Sequence, residues 1–154
     1  MPITQTHNED VNRWAKGYGF YLDDLQADGS DESYFQLISL YLMGDQFFHI
    51  WHDWYHDETI VCDQRGLKAV FDSIDKETKE HGAKLSNKAR ELALQLDLTP
   101  SVRISDDVVE VAVTYFTKWG GFRRWEVTIN RRPPHCILEQ KHIDLVSYHV
   151  GYVM

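Results

Sequence analysis

The sequence is poor in the residues that build disulfide scaffolds and flexible linkers. It contains two cysteines, Cys62 and Cys136, and four prolines among 154 residues, too few cysteines for a small fold held together by disulfides. We therefore expect two free thiols. The sequence also lacks repeats, a phosphate-binding loop, a dinucleotide fingerprint and a serine nucleophile elbow, so no enzyme class follows from a signature.

Long apolar runs are missing as well. The longest, at 37–43, is too short to cross a bilayer. The first residues lack the basic segment and apolar core of a secretory signal. These absences predict a cytoplasmic protein that makes no contact with membranes.

Positive charge is scarce in the first part of the chain. Residues 1–60 carry eleven acidic and two basic residues, a net charge of −9, whereas residues 61–154 carry thirteen against fourteen, a net charge of +1. An acidic surface repels nucleic-acid phosphates. The amino-terminal part is thus interpreted either as a solvated face or as a docking surface for a basic partner or a second subunit.

Length and composition are those of one folded domain spanning residues 1–154. The hydrophobic fraction is 43% and the charged fraction 26%, both ordinary for a globular protein. The aromatic fraction of 13% favours a structure rich in β-sheet, because large rings pack well on pleated surfaces.

The region 33–58 supports two interpretations. Apolar pairs at 34–35 and 37–38 recur at helical spacing. However, residues 33–57 include no Ala, Glu, Lys or Arg and many aromatic residues, a composition that disfavours a helix. Composition favours two antiparallel strands, 34–43 and 47–55, with a helix as the alternative. A short helix at 8–18 is predicted before them.

From residue 64 onward, the hydrophobic pattern indicates helices and strands more clearly. Two helices are predicted within 64–97, the second capped by Ser86. Strands follow from residue 102, including 109–117 and a return strand through 125–129, with further strands at 136–139 and 146–153. Both hairpin strands bury their odd-numbered residues, so the loop between them must have an odd length or contain a bulge. A three-residue loop at 120–122 and a five-residue loop both satisfy this condition.

These elements predict an α+β fold. We expect an antiparallel sheet of about five to six strands, with two to three helices packed on one side. The expected order along the chain is α-β-β-α-α-β-β-β-β.

Histidines suggest one candidate chemistry. The run 47–58 holds five aromatic, three histidine and three acidic residues. His52 and His56 share a face whether the run is a strand or a helix, and His135 and His149 on later strands could complete a zinc site. This interpretation predicts a metal-dependent hydrolase, but the spacing matches no known signature. The alternative is a set of imidazoles bonded within an aromatic sheet face.

A second candidate lies at 139–141. Glu139 and Lys141 flank one residue on a predicted strand, and a carboxylate from Asp107 or Glu126 could join them. Carboxylates that bind magnesium beside a lysine that orients water are found in metal-dependent nucleases. The alternative is the exposed end of a strand.

The third candidate is the basic ribbon 118–132, in which cations and aromatic rings alternate. Rings beside cations can hold an acidic protein surface or stack on bases. Its candidate binding residues are Lys118, Trp119, Phe122, Arg123, Arg124 and Trp125.

Because no catalytic signature is present, the sequence predicts a non-catalytic binding or interaction module. We expect a protein partner or self-association, a homodimer included, and no nucleic-acid ligand. No cofactor is predicted beyond the zinc of the hydrolase hypothesis.

Overall fold

The computed structural model describes residues 25–44, 57–78 and 84–148. They form three helices and five strands. In chain order these are α1 (Asp31–Met43), β1 (Thr59–Ile60), α2 (Gln64–Thr78), α3 (Asn87–Leu94), β2 (Ser101–Ile104), β3 (Val108–Thr117), β4 (Gly121–Asn130) and β5 (Ile137–Val146). None of the described helices is long and apolar enough to cross a membrane.

The five strands form one antiparallel sheet. β3 is central: β4 pairs along one edge, and β1 and β2 share the other, β1 beside the carboxyl-terminal end of β3 and β2 beside its amino-terminal end. β5 pairs with β4, with register shifts near both ends of the pairing. The predicted α+β class, with helices packed against an antiparallel sheet, is confirmed.

The core occupies both faces of this sheet. Odd-numbered residues of β3 and β4 pack against α1, which contributes Tyr34, Leu37 and Ile38. Phe116 and Phe122, which point to the opposite face, pack with residues of α2 and α3. Successive side chains of a strand alternate between faces. The prediction that all helices lie on one side was therefore wrong in this detail.

The hairpin between β3 and β4 confirms the predicted loop parity. Thr117 pairs with Gly121, so residues 118–120 form a three-residue loop, and Val111 faces Val127. The loop lies two residues before the expected position of 120–122. The backbone explains this shift, because Gly121 has a φ of +88°, a conformation that glycine adopts without steric cost.

The predicted strand at 34–43 was wrong, because the structure has helix α1 there. Ser30 caps the helix by accepting a hydrogen bond from the Ser33 N–H at 3.1 Å. Tyr34, Leu37 and Ile38 follow the helical spacing and are buried against the sheet. This contact supplies stability that the helix propensity of the segment does not. The predicted helix 8–18 and strand 47–55 lie outside the described residues.

For the remaining helices and strands, the predicted boundaries agree in part with the structure. α2 and α3 occur within the predicted 64–97, and the Ser86 hydroxyl accepts from the Ala89 N–H at 3.1 Å, as its predicted cap should. β5 covers the predicted strand 136–139 except for its first residue and continues to Val146, whereas most of the predicted strand 146–153 lies outside the described residues. The short strand β1 was not predicted, since two residues carry no periodicity.

Candidate functional site

The strongest candidate site is a polar groove on the sheet face opposite α1. On this face α2 and α3 pack near the turn between β3 and β4, around Phe116 and Phe122. The groove lies at the other end of the strands and encloses about 350 Å³. The groove is lined by Ser101, Arg103, Glu110, Val111, Ala112, Arg124, Glu126, Val127, Thr128, Glu139, Gln140 and Lys141.

Strand register arranges the polar side chains in two rows across the sheet. One row runs through Arg103, Glu110, Thr128 and Glu139, and the next runs through Ser101, Ala112, Glu126 and Lys141. Each row has one small side chain at an inner position, Thr128 in the first and Ala112 in the second, beside one glutamate. Ala112 therefore forms the floor, and the long charged side chains form the walls.

The charges of the groove balance. Three basic and three acidic residues line it. Arg103 lies 3.6 Å from the Glu110 carboxylate, and Arg124 lies 3.8 Å from that of Glu126. Ion pairs this long and this exposed contribute little to stability, so a ligand could replace them at low energetic cost.

The predicted pair Glu139 and Lys141 lies at the edge of this groove. The register places Lys141 opposite Glu126 and Glu139 opposite Thr128, so Glu126, one of the two expected partners, is on the same face. Asp107, the other, is in the turn before β3 and is not among the lining residues. Among the described residues, no three His, Cys, Asp or Glu side chains converge as metal ligands would.

The basic ribbon does not form one binding surface. Phe122 and Trp125 are 0% and 4% exposed and belong to the two different core clusters. Arg123 and Arg124 point to opposite faces, and Arg123 is bonded to Asp144 at 2.6 Å. Of the three aromatic residues, only Trp119 is accessible, at 40%.

Lys118 and the loop around it are fixed by a carboxylate. Asp57 accepts from the Thr117 hydroxyl at 2.5 Å and from the Lys118 N–H at 2.6 Å. The Thr117 hydroxyl also accepts from the Trp119 N–H at 3.3 Å. Asp57 therefore holds the chain entering β1 against the hairpin, which gives this part of the ribbon a structural role.

Of the four predicted zinc ligands, His52, His56 and His149 lie outside the described residues. His135 is 1% exposed. Its Nε2 accepts from the Ala27 N–H at 3.2 Å, and its Nδ1 donates to the Asn130 carbonyl at 2.9 Å. Since both ring nitrogens are engaged, a metal could bind only by displacing one of these bonds.

The sequence did not reveal a polar cluster on the face of the sheet that packs against α1. The Tyr115 hydroxyl lies 2.9 Å from Nδ1 of His142, and the Trp125 ring stacks on the imidazole with a centroid distance of 5.7 Å. The Arg123–Asp144 pair lies alongside them. The period-two pattern of β3 and β4 already placed Tyr115 and Trp125 on one face of the sheet. The pairing of Tyr115 with Arg123 could not be read from that pattern, because it depends on the hairpin register.

Partial burial favours the neutral form of two groups in this cluster. It raises the pKa of the Tyr115 phenol, so Tyr115 keeps its proton, and its hydroxyl donates a hydrogen bond to His142 Nδ1 when that nitrogen carries no proton. Burial, assisted by the nearby Arg123, lowers the pKa of His142, while Asp144 acts in the opposite direction. The lowered pKa favours the neutral imidazole, and a hydrogen bond from the Tyr115 hydroxyl favours the tautomer with its proton on Nε2.

This assignment predicts a pH dependence of stability. A histidine whose pKa is lower in the folded state stabilises the fold fully above its ordinary pKa of about 6.5, and that contribution is lost as the pH falls towards the folded value. The difference in free energy of unfolding between the wild type and His142→Gln, measured by urea denaturation, should therefore shrink below that pH. A difference that stays constant across the range would contradict the assignment.

Comparison with known proteins identifies no relative: no protein-family model, curated protein or solved structure matches the chain.

Proposed function

We propose that this protein is a non-catalytic binding module that holds an extended, mixed-charge segment of a partner protein in its polar groove. The observation that carries the proposal is the pair of polar rows around Ala112. A ligand with a single sign of charge would face repulsion from half of the charged groups that line it. A polypeptide segment carrying both signs can pair with both.

The shape of the groove supports a polypeptide occupant. The groove crosses four strands of the sheet, and most of its charged walls are exposed. An open, polar surface of this kind resembles the rim of protein–protein contacts more than the closed apolar cavities that hold small molecules.

A substitution at the floor tests the proposal. Ala112→Gln fills the centre of the groove without changing any charge, whereas Thr59→Gln places the same side chain at an exposed position of β1. Peptides selected from a random displayed library on the wild type should carry both basic and acidic residues. Their affinity, measured by fluorescence anisotropy, should fall at least roughly tenfold with Ala112→Gln, a loss of about 1.4 kcal/mol, and stay unchanged with Thr59→Gln.

Two outcomes would refute the proposal. One is a selection that enriches no peptide. The other is a set of peptides that bind Ala112→Gln as tightly as the wild type. Circular dichroism spectra of both variants should match the wild type, which excludes unfolding as the cause of lost binding.

A magnesium-dependent nuclease is the second candidate function. The observation that favours it is that Glu126, Glu139 and Lys141 share one face of β4 and β5. This hypothesis predicts magnesium-dependent cleavage of plasmid DNA that Glu139→Gln abolishes. Absence of cleavage by the wild type, or equal cleavage by the variant, would eliminate it.

A further inference from the structure

The outer edge of β5 is exposed to solvent. β5 is the last strand of the sheet in the part of the chain that the structure describes, and it spans ten residues. Residues 138–142 are all exposed, including Leu138 at 55%. An exposed strand edge presents unpaired N–H and C=O groups that another strand can bond.

Two side chains on this edge have opposite charges. Glu139 and Lys141 are exposed on the same face of β5, and no ion pair joins either of them to another described residue, although Lys141 lies opposite Glu126. They are separated by one residue, Gln140. This spacing makes the edge complementary to a second copy of itself.

We infer that β5 pairs antiparallel with β5 of a second copy, about a two-fold axis at Gln140. In this register Glu139 of each copy faces Lys141 of the other, so that symmetry produces two ion pairs. Cross-strand pairs of opposite charge stabilise a sheet, and like charges directly opposite destabilise it. An isologous contact of this kind closes as a dimer.

Neighbouring registers are disfavoured by charge or excluded by the strand pleat. A slide of two residues places Lys141 opposite Lys141, or Glu139 opposite Glu139. An axis between two residues would pair odd-numbered with even-numbered positions, whose side chains point to opposite faces of the sheet, so these registers are excluded.

The β5 pairing has a consequence for the polar groove. A two-fold axis through one residue of an antiparallel pair keeps the same face of both sheets on one side. The grooves of the two copies would then join across the Glu139 and Lys141 pairs. The inference rests on the edge of β5 alone, so it can fail while the groove still binds its ligand, and the reverse also holds.

A charge-swap series tests the contact by sedimentation velocity over a range of protein concentrations. Lys141→Glu and Glu139→Lys should each weaken the dimer at least roughly tenfold, because each places two pairs of like charges opposite one another. The double variant Glu139→Lys/Lys141→Glu should restore it. Lys68→Glu, which makes the same charge change on exposed α2, should leave the dimer unchanged.

Cysteine cross-linking tests the register itself. In a Cys62→Ser/Cys136→Ser background, Gln140→Cys should form an intermolecular disulfide, since paired residues on the axis lie within the reach of one. Leu138→Cys should not, because its symmetry mate lies four positions away along the strand.

Three results would overturn the inference. The first is a wild type that remains monomeric at every concentration, the second is a double variant that does not recover, and the third is cross-linking at Leu138 but not at Gln140. Slow hydrogen exchange of the outward-facing β5 amides in a monomer would show instead that the chain itself covers this edge.

Discussion

Replacing Gly121 by alanine should be one of the two most destabilising single changes proposed for this chain. Gly121 has a φ of +88°, and a Cβ there would lie 2.1 Å from the Val146 carbonyl oxygen and 2.6 Å from the Tyr148 backbone nitrogen. Both contacts are with backbone atoms, which cannot move aside as a flexible side chain can. We expect Gly121→Ala to lower the free energy of unfolding by at least about 3 kcal/mol, since unfavourable φ and overpacking add.

Gly29 provides the matched control. Its φ is +92°, but a Cβ at this position would meet no atom within 4 Å. Gly29→Ala should therefore cost only the conformational term of about 1–2 kcal/mol. Urea denaturation of both variants separates the two effects. Equal losses would show that β5 moves away from Gly121 without cost and that the close approach is unimportant.

His135→Ala should destabilise the protein to a similar extent. The ring is buried, bonds to the Ala27 N–H and to the Asn130 carbonyl, and meets the edge of the Tyr34 ring at a centroid distance of 5.7 Å. Its removal leaves two polar groups unsatisfied and a cavity beside α1. We expect a loss of about 3–5 kcal/mol in the free energy of unfolding, because each unsatisfied group costs about 1–3 kcal/mol and the cavity adds to this.

The loss of stability in His135→Ala should affect α1 most strongly. Tyr34 and Tyr41 donate hydrogen bonds to the carbonyls of Arg131 and His135, at 3.1 and 3.2 Å, so the 130–136 segment holds the helix through several bonds. Hydrogen exchange of the α1 amides should accelerate more than that of β3 in this variant.

His142→Ala is the comparison for His135→Ala, because His142 is exposed and its loss should cost clearly less. If both substitutions lowered stability equally, the buried hydrogen bonds of His135 would not have the role assigned to them.

Most strands of the sheet could be predicted from the sequence. Alternation through Val109, Val111 and Val113 defined β3 and its buried face, and the parity of the two hairpin strands required an odd loop. The exact register was not predictable from this parity, because loops centred two residues apart satisfy it equally. The positive φ of Gly121 and its contact with β5 select one of them.

Helix α1, in contrast, could not be predicted from local sequence. Its residues have low helix propensity, and the local signals for strand and helix were nearly balanced. Burial of Tyr34, Leu37 and Ile38 on the β3–β4 face decides the outcome. Contacts with residues far away in sequence contribute more than propensity here, and a local pattern does not contain them.

The candidate site divides in the same way. Local periodicity is enough to predict the fold class, the antiparallel hairpin and a strand that carries Glu139 and Lys141 on one face. It is the folded structure that places Phe122 and Trp125 in the core, makes His135 an internal bridge and brings the polar rows together around Ala112. These properties depend on strand register and on which face each helix covers, and both are set by packing between distant segments.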